Sequence, residues 1–241
     1  MRQQQTFFLL VLLTVLGVIT ASAFEPGPDI IRECPKCNAA LKQETMLSGN
    51  TFGAQFWTDG KMDAPMRPDY PWLVKCPKCG TLFWIDESKK LGERWYPEKT
   101  WPDAIDPSKP TEADLLSLLG AEKLPKEKEL YVRRRSWWAA NDAIRWNEEA
   151  TSSLLPAQEA NLQVLANLMD ERKPDERLTK AEIFRELKKF DDCIALLTQP
   201  FDDARKAEVA AFIKKLAEQK FWTVREIIKQ EAKPNKRPET H

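Results

Sequence analysis

The chain has 241 residues, and its 37 lysines and arginines are balanced by 37 aspartates and glutamates. Hydrophobic residues make up 42% and charged residues 31%, which indicates a globular protein, and the zero net charge argues against a dedicated nucleic-acid binder. The one histidine is His241, at the chain end, so mechanisms that need a histidine base or a histidine-ligated catalytic zinc are disfavoured.

The first 23 residues have the features of a secretory signal peptide. Arg2 supplies a positive charge, residues 7–19 form an apolar run, and Ala21-Ser22-Ala23 matches the pattern of small residues before a cleavage site. The apolar run is shorter than the ~20 residues that span a bilayer. We therefore predict cleavage before Phe24, no membrane span afterwards, and a periplasmic or secreted location. The alternative is that the segment is kept as an anchor.

Four of the five cysteines lie in two Cys-Pro-Lys-Cys sequences, at residues 34–37 and 76–79. Each Cys-x-x-Cys sequence predicts a tight turn that directs both sulfurs at one ion. Asn38 and Gly80, which follow the second cysteines, suit the left-handed backbone of such a turn. Two such turns form a closed tetrahedral site. The predicted metal ligands are Cys34, Cys37, Cys76 and Cys79.

Three interpretations of these cysteines stay open. Structural Zn²⁺ is favoured, because four thiolates leave no vacant coordination position and the ion would stabilise the domain without catalysing a reaction. A rubredoxin-like iron site has the same ligands. Two disulfides or a redox pair would suit an oxidising compartment, although the flanking sequence does not predict the βαβ context of a thioredoxin-type motif.

The insert between the two motifs predicts a small β-sheet rich in aromatic residues. Residues 51–57 and 81–85 are typical of strands, Asp59-Gly60 of a hairpin turn, and residues 62–71 of a loop rich in proline and methionine. Six aromatic side chains are predicted to form the core: Phe52, Phe56, Trp57, Trp72, Phe83 and Trp84. The alternative is that some of these side chains line a recognition groove together with Asp59, Lys61 and Asp63.

A linker rich in proline and tryptophan at residues 95–110 leads into a helical region. Thr111 and Asp114 predict a capping box for a helix over residues 112–119, with Gly120 as its stop. The remaining predicted helices cover residues 126–145, 156–169, 176–188, 191–197, 203–218 and 222–231. Trp137 and Trp138 are predicted to be core, with a ligand-facing Asn141–Asp142 pair as a minor alternative. Residues 232–241 are predicted to be a disordered tail.

Residues 181–197 resemble a tetratricopeptide repeat, a family in which two helices meet at a Leu-Gly-x-Tyr-x-x-Ala turn. Leu187, Phe190 and Cys193 take the Leu, Tyr and Ala places, and Lys188 stands where glycine is usual. Cys193 is therefore predicted to be a buried, unreactive thiol.

A second resemblance covers residues 49–61 and 71–80, whose runs Gly-Asn-Thr-Phe-Gly-Ala-Gln-Phe-Trp and Pro-Trp-Leu-Val-Lys-Cys-Pro-Lys-Cys-Gly are similar to those of uncharacterised bacterial proteins. Those proteins join a zinc-ribbon or rubredoxin-like segment to a helical, repeat-like tail. The resemblance implies an architecture and a metal, and it implies no activity.

The predicted fold class is α+β, with a zinc-ribbon module at residues 24–94 and a helical, tetratricopeptide-repeat-like domain at residues 111–231. The predicted function is an extracytoplasmic interaction protein that has a structural zinc site and binds a protein or peptide on its helical surface. The alternative is an iron electron-transfer protein. An enzyme is not predicted, because the spacing of the carboxylates Asp59, Asp63, Asp86 and Glu87 does not distinguish them from surface charges.

Overall fold

The structure is a computed structural model that describes residues 24–96, 100–146 and 153–227. Within these residues nine short β-strands precede six α-helices, so the α+β class is confirmed. The predicted signal peptide at 1–23 and the predicted tail at 232–241 lie outside the described residues. We refer to residues 24–96 as the β-module.

The strands of the β-module are two to five residues long and pair antiparallel in four small sheets. They are β1 (Phe24–Pro26), β2 (Asp29–Glu33), β3 (Ala40–Gln43), β4 (Met46–Gly49), β5 (Gln55–Phe56), β6 (Met62–Asp63), β7 (Leu73–Lys75), β8 (Leu82–Trp84) and β9 (Lys90–Arg94). β1 pairs with β4, β2 lies between β3 and β9, β5 pairs with β6, and β7 pairs with β8. A 3₁₀ turn, Ile85–Glu87, follows β8.

The strand predicted at residues 51–57 is shorter than expected. Residues 51–54 form a turn, in which the Ala54 N–H donates to the Thr51 carbonyl and Gly53 has a φ of 71°. The Asp59-Gly60 turn is present: Gly60 has a φ of 76°, and the Trp57 N–H donates to the Lys61 carbonyl at 2.9 Å. This turn connects β5 to β6.

The helices are α1 (Glu112–Ala121), α2 (Lys126–Asp142), α3 (Pro156–Leu168), α4 (Pro174–Glu186), α5 (Phe190–Thr198) and α6 (Ala204–Glu218). Each helix packs against the next one along the chain, and α4 also packs against α6. The predicted capping box forms, because the Thr111 and Asp114 side chains each accept the other residue's backbone N–H. Gly120 does not stop α1, which continues to Ala121.

Two helices end in the same way, at a lysine in the left-handed conformation. Lys188 and Lys220 have φ values of 61° and 58°. The next N–H in each case donates back to a carbonyl five residues earlier, from Lys189 to Phe184 at 2.8 Å and from Phe221 to Leu216 at 2.9 Å. This is the Schellman pattern, which usually employs glycine at the left-handed position.

The helix predicted at residues 222–231 is wrong over residues 222–227, and residues 228–231 lie outside the described part of the chain. Residues 225–227 run antiparallel to β5 instead. The Thr58 N–H donates to the Arg225 carbonyl at 2.9 Å, and the Ile227 N–H donates to the Phe56 carbonyl at 2.7 Å. These backbone bonds across the chain replace the local ones that a helix needs.

The residues of the predicted linker also pair with the β-module. Backbone bonds join Ile105 to β3, where its carbonyl accepts from the Lys42 N–H at 2.9 Å. Ser108 and Lys75 exchange two backbone bonds of 2.9 Å each. Main-chain hydrogen bonds as well as side-chain contacts therefore join the β-module to the rest of the chain.

Candidate metal centre and the adjoining cleft

The two Cys-Pro-Lys-Cys sequences fold into matching turns, one between β2 and β3 and the other between β7 and β8. Asn38 and Gly80 have φ values of 59° and 72°, which confirms the left-handed conformation predicted for them. The Asn38 N–H donates to the Cys34 carbonyl at 3.0 Å, and the Gly80 N–H donates to the Cys76 carbonyl at 2.8 Å. Each turn therefore closes on its own first cysteine.

The structure brings the four predicted ligand sulfurs together, all within 4.8 Å of one another. Cys34 Sγ lies 3.6 Å from Cys79 Sγ, and Cys37 Sγ lies 3.7 Å from Cys76 Sγ. A tetrahedron with metal–sulfur bonds of about 2.3 Å has edges of about 3.8 Å, whereas a disulfide would need about 2 Å. This four-cysteine cluster can therefore hold one metal ion, and its distances are not those of disulfides.

The surroundings treat the four thiols differently. Cys34 and Cys76 are buried, and burial raises the pKa of Cys76 to about 12. Cys37 and Cys79 are partly exposed, and hydrogen bonds from the Thr81 hydroxyl and backbone lower the pKa of Cys79 to about 6. Metal binding requires thiolates, so an ion that enters this site must displace the proton of Cys76.

A cleft of about 1140 Å³ adjoins this centre, between the β-module and α2. Met46, Met62 and Tyr70 line it from the β-module, and Tyr131 and Trp138 line it from α2. Its floor includes Leu73, Val74 and Ile85. Val74 and Ile85 also pack in one hydrophobic cluster with Cys34 and Cys76, so the core of the metal centre is the floor of the cleft.

The charged side chains of the cleft largely pair with one another. Lys42 pairs with Asp106 at 3.2 Å, and Arg135 pairs with Asp69. Lys61 lies 2.8 Å from Asp142 and 3.3 Å from Asp63, so two of the three polar residues predicted for a groove line this cleft. The lining as a whole contains five cations and five carboxylates, so it carries no net formal charge.

Asp59, the third of those residues, is buried elsewhere. Its carboxylate accepts from Arg145 Nη2 at 2.7 Å and from Asn141 Nδ2 at 2.9 Å, and the Asp59 and Arg145 side chains are fully buried. Asn141 Nδ2 also donates to Glu186 at 3.1 Å, and Glu186 accepts from Trp137 Nε1 at 2.7 Å. We call these five residues the junction network, because they join the β-module to α2 and α4.

A second buried ion pair lies beside the junction network. Arg185 pairs with Glu182 on α4 and donates to the Phe221 carbonyl at 2.6 Å and the Thr223 carbonyl at 3.0 Å. Burial and the neighbouring Glu182 raise the pKa of Glu186 well above its usual value, although Arg185 opposes that shift. Glu186 is thus the carboxyl in this region that has no cation of its own.

The aromatic residues predicted as core divide into three groups. Trp57 and Phe83 are buried, and Phe56 and Trp84 are half-buried. The prediction is wrong for Phe52 and Trp72, which are 80% and 58% exposed. Phe52 belongs to the turn before β5, and Trp72 stacks on Tyr131 at the surface, with the ring centroids 5.1 Å apart.

Other candidate residues do not form a site. Asp86 and Glu87 are exposed and pair with Arg32 and Lys128, at 3.6 Å and 2.5 Å. Cys193 is fully buried, and burial raises the pKa of its thiol to about 12, as expected for an unreactive thiol.

Sequence reasoning identified the four-cysteine cluster but did not assign the cleft. The prediction of a Pro- and Met-rich loop came nearest, because Met62, Pro65 and Pro68 line the cleft. No sequence feature marked Tyr131 as a residue that lines a cleft, because the pattern of its helix predicted only core residues and surface charges.

Comparison of this chain with protein-family models, curated proteins and solved structures finds no significant match. In the part of the chain that the structure describes, no helix is both long and apolar enough to cross a membrane.

Proposed function

We propose that this chain is a metal-stabilised binding protein that acts outside the cytoplasm and holds a segment of another protein in the cleft beside α2. The single observation that carries the proposal is that Val74 and Ile85 belong both to the hydrophobic cluster around the cysteines and to the floor of the cleft. A metal ion that orders the hydrophobic cluster therefore also shapes the floor of the cleft. The extracytoplasmic location rests on the signal-peptide pattern of residues 1–23.

Zinc is the proposed metal, because a tetrahedral set of four thiolates with no vacant position is typical of structural zinc. The same closed arrangement supports a role that is not enzymatic. A zinc-ribbon module followed by a tetratricopeptide-repeat-like domain is the proposed architecture. It is supported by the paired cysteine turns and by the packing of α4 on α5 around the buried Cys193.

A rubredoxin-like electron carrier is the second candidate. The partial exposure of Cys37 and Cys79 favours it, because an iron ion held there would lie near the surface, where an electron could enter or leave. Metal analysis and the visible spectrum of the protein purified from its own compartment separate the two candidates. We expect colourless protein with one zinc per chain. Stoichiometric iron with a red oxidised form would favour the electron carrier, and disulfide-bonded cysteines would refute both.

The binding role is tested with a photo-crosslinking amino acid placed at Ala139, which lines the cleft. The matched control places it at Ala211, which is exposed on α6 and away from the cleft. In cells that make this protein, we expect a discrete crosslinked product from position 139, and none after the four cysteines are replaced by serine. Equal products from both positions, or none from either, would refute the cleft as the binding site.

A further inference from the structure

The cleft contains an open strand edge. β5 and β6 form a two-stranded sheet, and residues 225–227 bond to residues 56–58 on the side of β5 that faces away from β6. Among the described residues, no strand pairs with the outer edge of β6. Residues 61–65, which include β6, line the cleft. An unpaired edge presents a row of backbone donors and acceptors that another extended chain can pair with.

The chain after β6 does not supply that missing strand. It turns at residues 64–67, where the Arg67 N–H donates to the Ala64 carbonyl at 3.1 Å. Pro65, Pro68 and Pro71 follow, and proline cannot donate a ladder hydrogen bond. The loop therefore bounds the cleft without covering the edge of β6.

The cleft walls indicate what kind of side chain would accompany such a strand. Met46 and Met62 offer flexible, polarizable thioethers that adapt to different apolar shapes, and Tyr131 and Trp138 line the cleft from α2. The lining contains five cations and five carboxylates, and Lys42, Lys61 and Arg135 have carboxylate partners. The cleft therefore has no net formal charge that would favour a ligand of either sign, and an uncharged ligand leaves the ion pairs intact.

We infer that the ligand of the cleft is an extended, uncharged polypeptide segment that adds a strand to the open edge of β6 and directs alternate apolar side chains between the methionine and aromatic walls. This inference rests on the proposed function, since it specifies how the cleft holds its partner. Main-chain hydrogen bonds supply affinity in this mode, and the pockets for alternate side chains supply selectivity.

The experiment uses the full metal-loaded protein and a displayed library of random peptides about ten residues long, the length of a long strand. Enriched peptides are synthesised in two forms, with every second backbone nitrogen methylated in one register or in the other. We expect uncharged, apolar sequences, and a loss of about tenfold or more in affinity for one methylated register only. Met46→Lys should abolish binding, because Met46 lines the cleft. The matched control Leu47→Lys, at the next position of β4, which is exposed and outside the cleft, should not.

Two results would overturn the inference. If both methylated forms bind as tightly as the parent peptide while Met46→Lys still abolishes binding, the cleft binds peptides but not by strand addition. If no peptide is enriched on the parent protein over the Met46→Lys variant, the ligand class is wrong. Crosslinking at Ala139 decides the proposed function separately, and metal content and circular dichroism establish that each variant is folded.

Discussion

The β-module and the helical region bury their chains by different means. The strands of the β-module have two to five residues, and two of the four cysteines sit at the centre of its hydrophobic cluster. The helices have nine to 17 residues, and their clusters consist mainly of Leu, Ala and Ile side chains. Elements as short as those of the β-module bury little apolar surface alone, and in the proposed function a metal ion in the four-cysteine cluster supplies the stability that the long helices obtain by packing.

The junction between the two regions is stabilised differently again. It is filled by buried charges, which cost free energy to remove from water and are tolerated only when they are paired and hydrogen-bonded. Asp59 comes from the β-module. Its partner Asn141 lies in the last turn of α2, and its partner Arg145 lies just beyond the end of that helix. This geometry fixes how the wall and the floor of the cleft face each other.

The largest expected effect tests the role of the metal in the β-module. Cys76→Ser removes one thiolate, and a structural zinc site contributes about 10–16 kcal/mol of apparent binding free energy. We expect elemental analysis to show no bound metal and hydrogen exchange to show loss of protection in the β-module, while the helices stay protected. Cys193→Ala, which changes a buried thiol in the helical region, should keep its metal. Metal retained by the Cys76 variant would contradict a four-sulfur site.

The next effect concerns the junction network. Arg145→Ala leaves the carboxylate of Asp59 buried without its cation, which should lower the free energy of unfolding by about 3–5 kcal/mol. Arg172→Ala also breaks an arginine–aspartate pair, but that arginine is 89% exposed, and we expect no measurable change. Denaturant unfolding of the two variants measures the difference. Equal effects would mean that the buried pair does not hold the two regions together.

A smaller effect appears as a dependence on pH. The pKa of Glu186 is raised in the folded protein by burial, by Glu182 and by Asp59, so the folded state binds its proton more tightly than the unfolded chain does. The stability from this group is therefore present at acid pH and is lost as the pH rises from its ordinary pKa through the raised value. In Glu186→Gln, denaturant unfolding should show a smaller decrease in the free energy of unfolding as the pH rises over this range.

The control for this prediction is Glu208→Gln, which changes an exposed carboxyl on α6. We expect the free energy of unfolding of that variant to depend on pH as it does in the parent protein. If Glu186→Gln and the parent protein lose stability equally as the pH rises, then Glu186 does not carry the proton.

The smallest effect compares Lys220, just beyond the C-terminal end of α6, with Lys215, inside that helix. Lys220 holds a φ of 58°, which costs a residue with a side chain about 1 kcal/mol relative to glycine, so Lys220→Gly should raise the free energy of unfolding by up to about 1 kcal/mol. Lys215→Gly, inside α6, should lower it by about 1 kcal/mol. Thermal unfolding should therefore shift in opposite directions for one identical substitution at two positions.

Much of the fold could be predicted because its signals are local. The sequence pattern that predicts each cysteine turn spans only five residues. The predicted helices over residues 126–218 are present, and their ends differ from the predicted ones by no more than a few residues. The Thr111 cap is likewise local. The turn at Lys188 forms although glycine is usual at this position, because a lysine can adopt the left-handed conformation at a modest cost in free energy.

The rest could not be predicted because its partners are distant in sequence. The bond between Arg225 N–H and the Thr58 hydroxyl joins residues 167 positions apart. Trp222, Thr223 and Val224 are of types that are common in strands, but the local sequence does not indicate the distant segment with which this part of the chain pairs. Asp59, Asn141 and Glu186 are polar residues of ordinary appearance, and only the fold makes them buried neighbours. The cleft is lined by both regions, so neither region predicts it alone.

The pairing of residues 225–227 with β5 sets an order of events for the growing chain. A ribosome releases the β5–β6 hairpin early, but residues 225–227, which pair with it, emerge only after the helices have been synthesised. Until then the hairpin has two open edges, and contacts between segments so far apart form slowly. This part of the fold is therefore completed only when residues 225–227 reach β5.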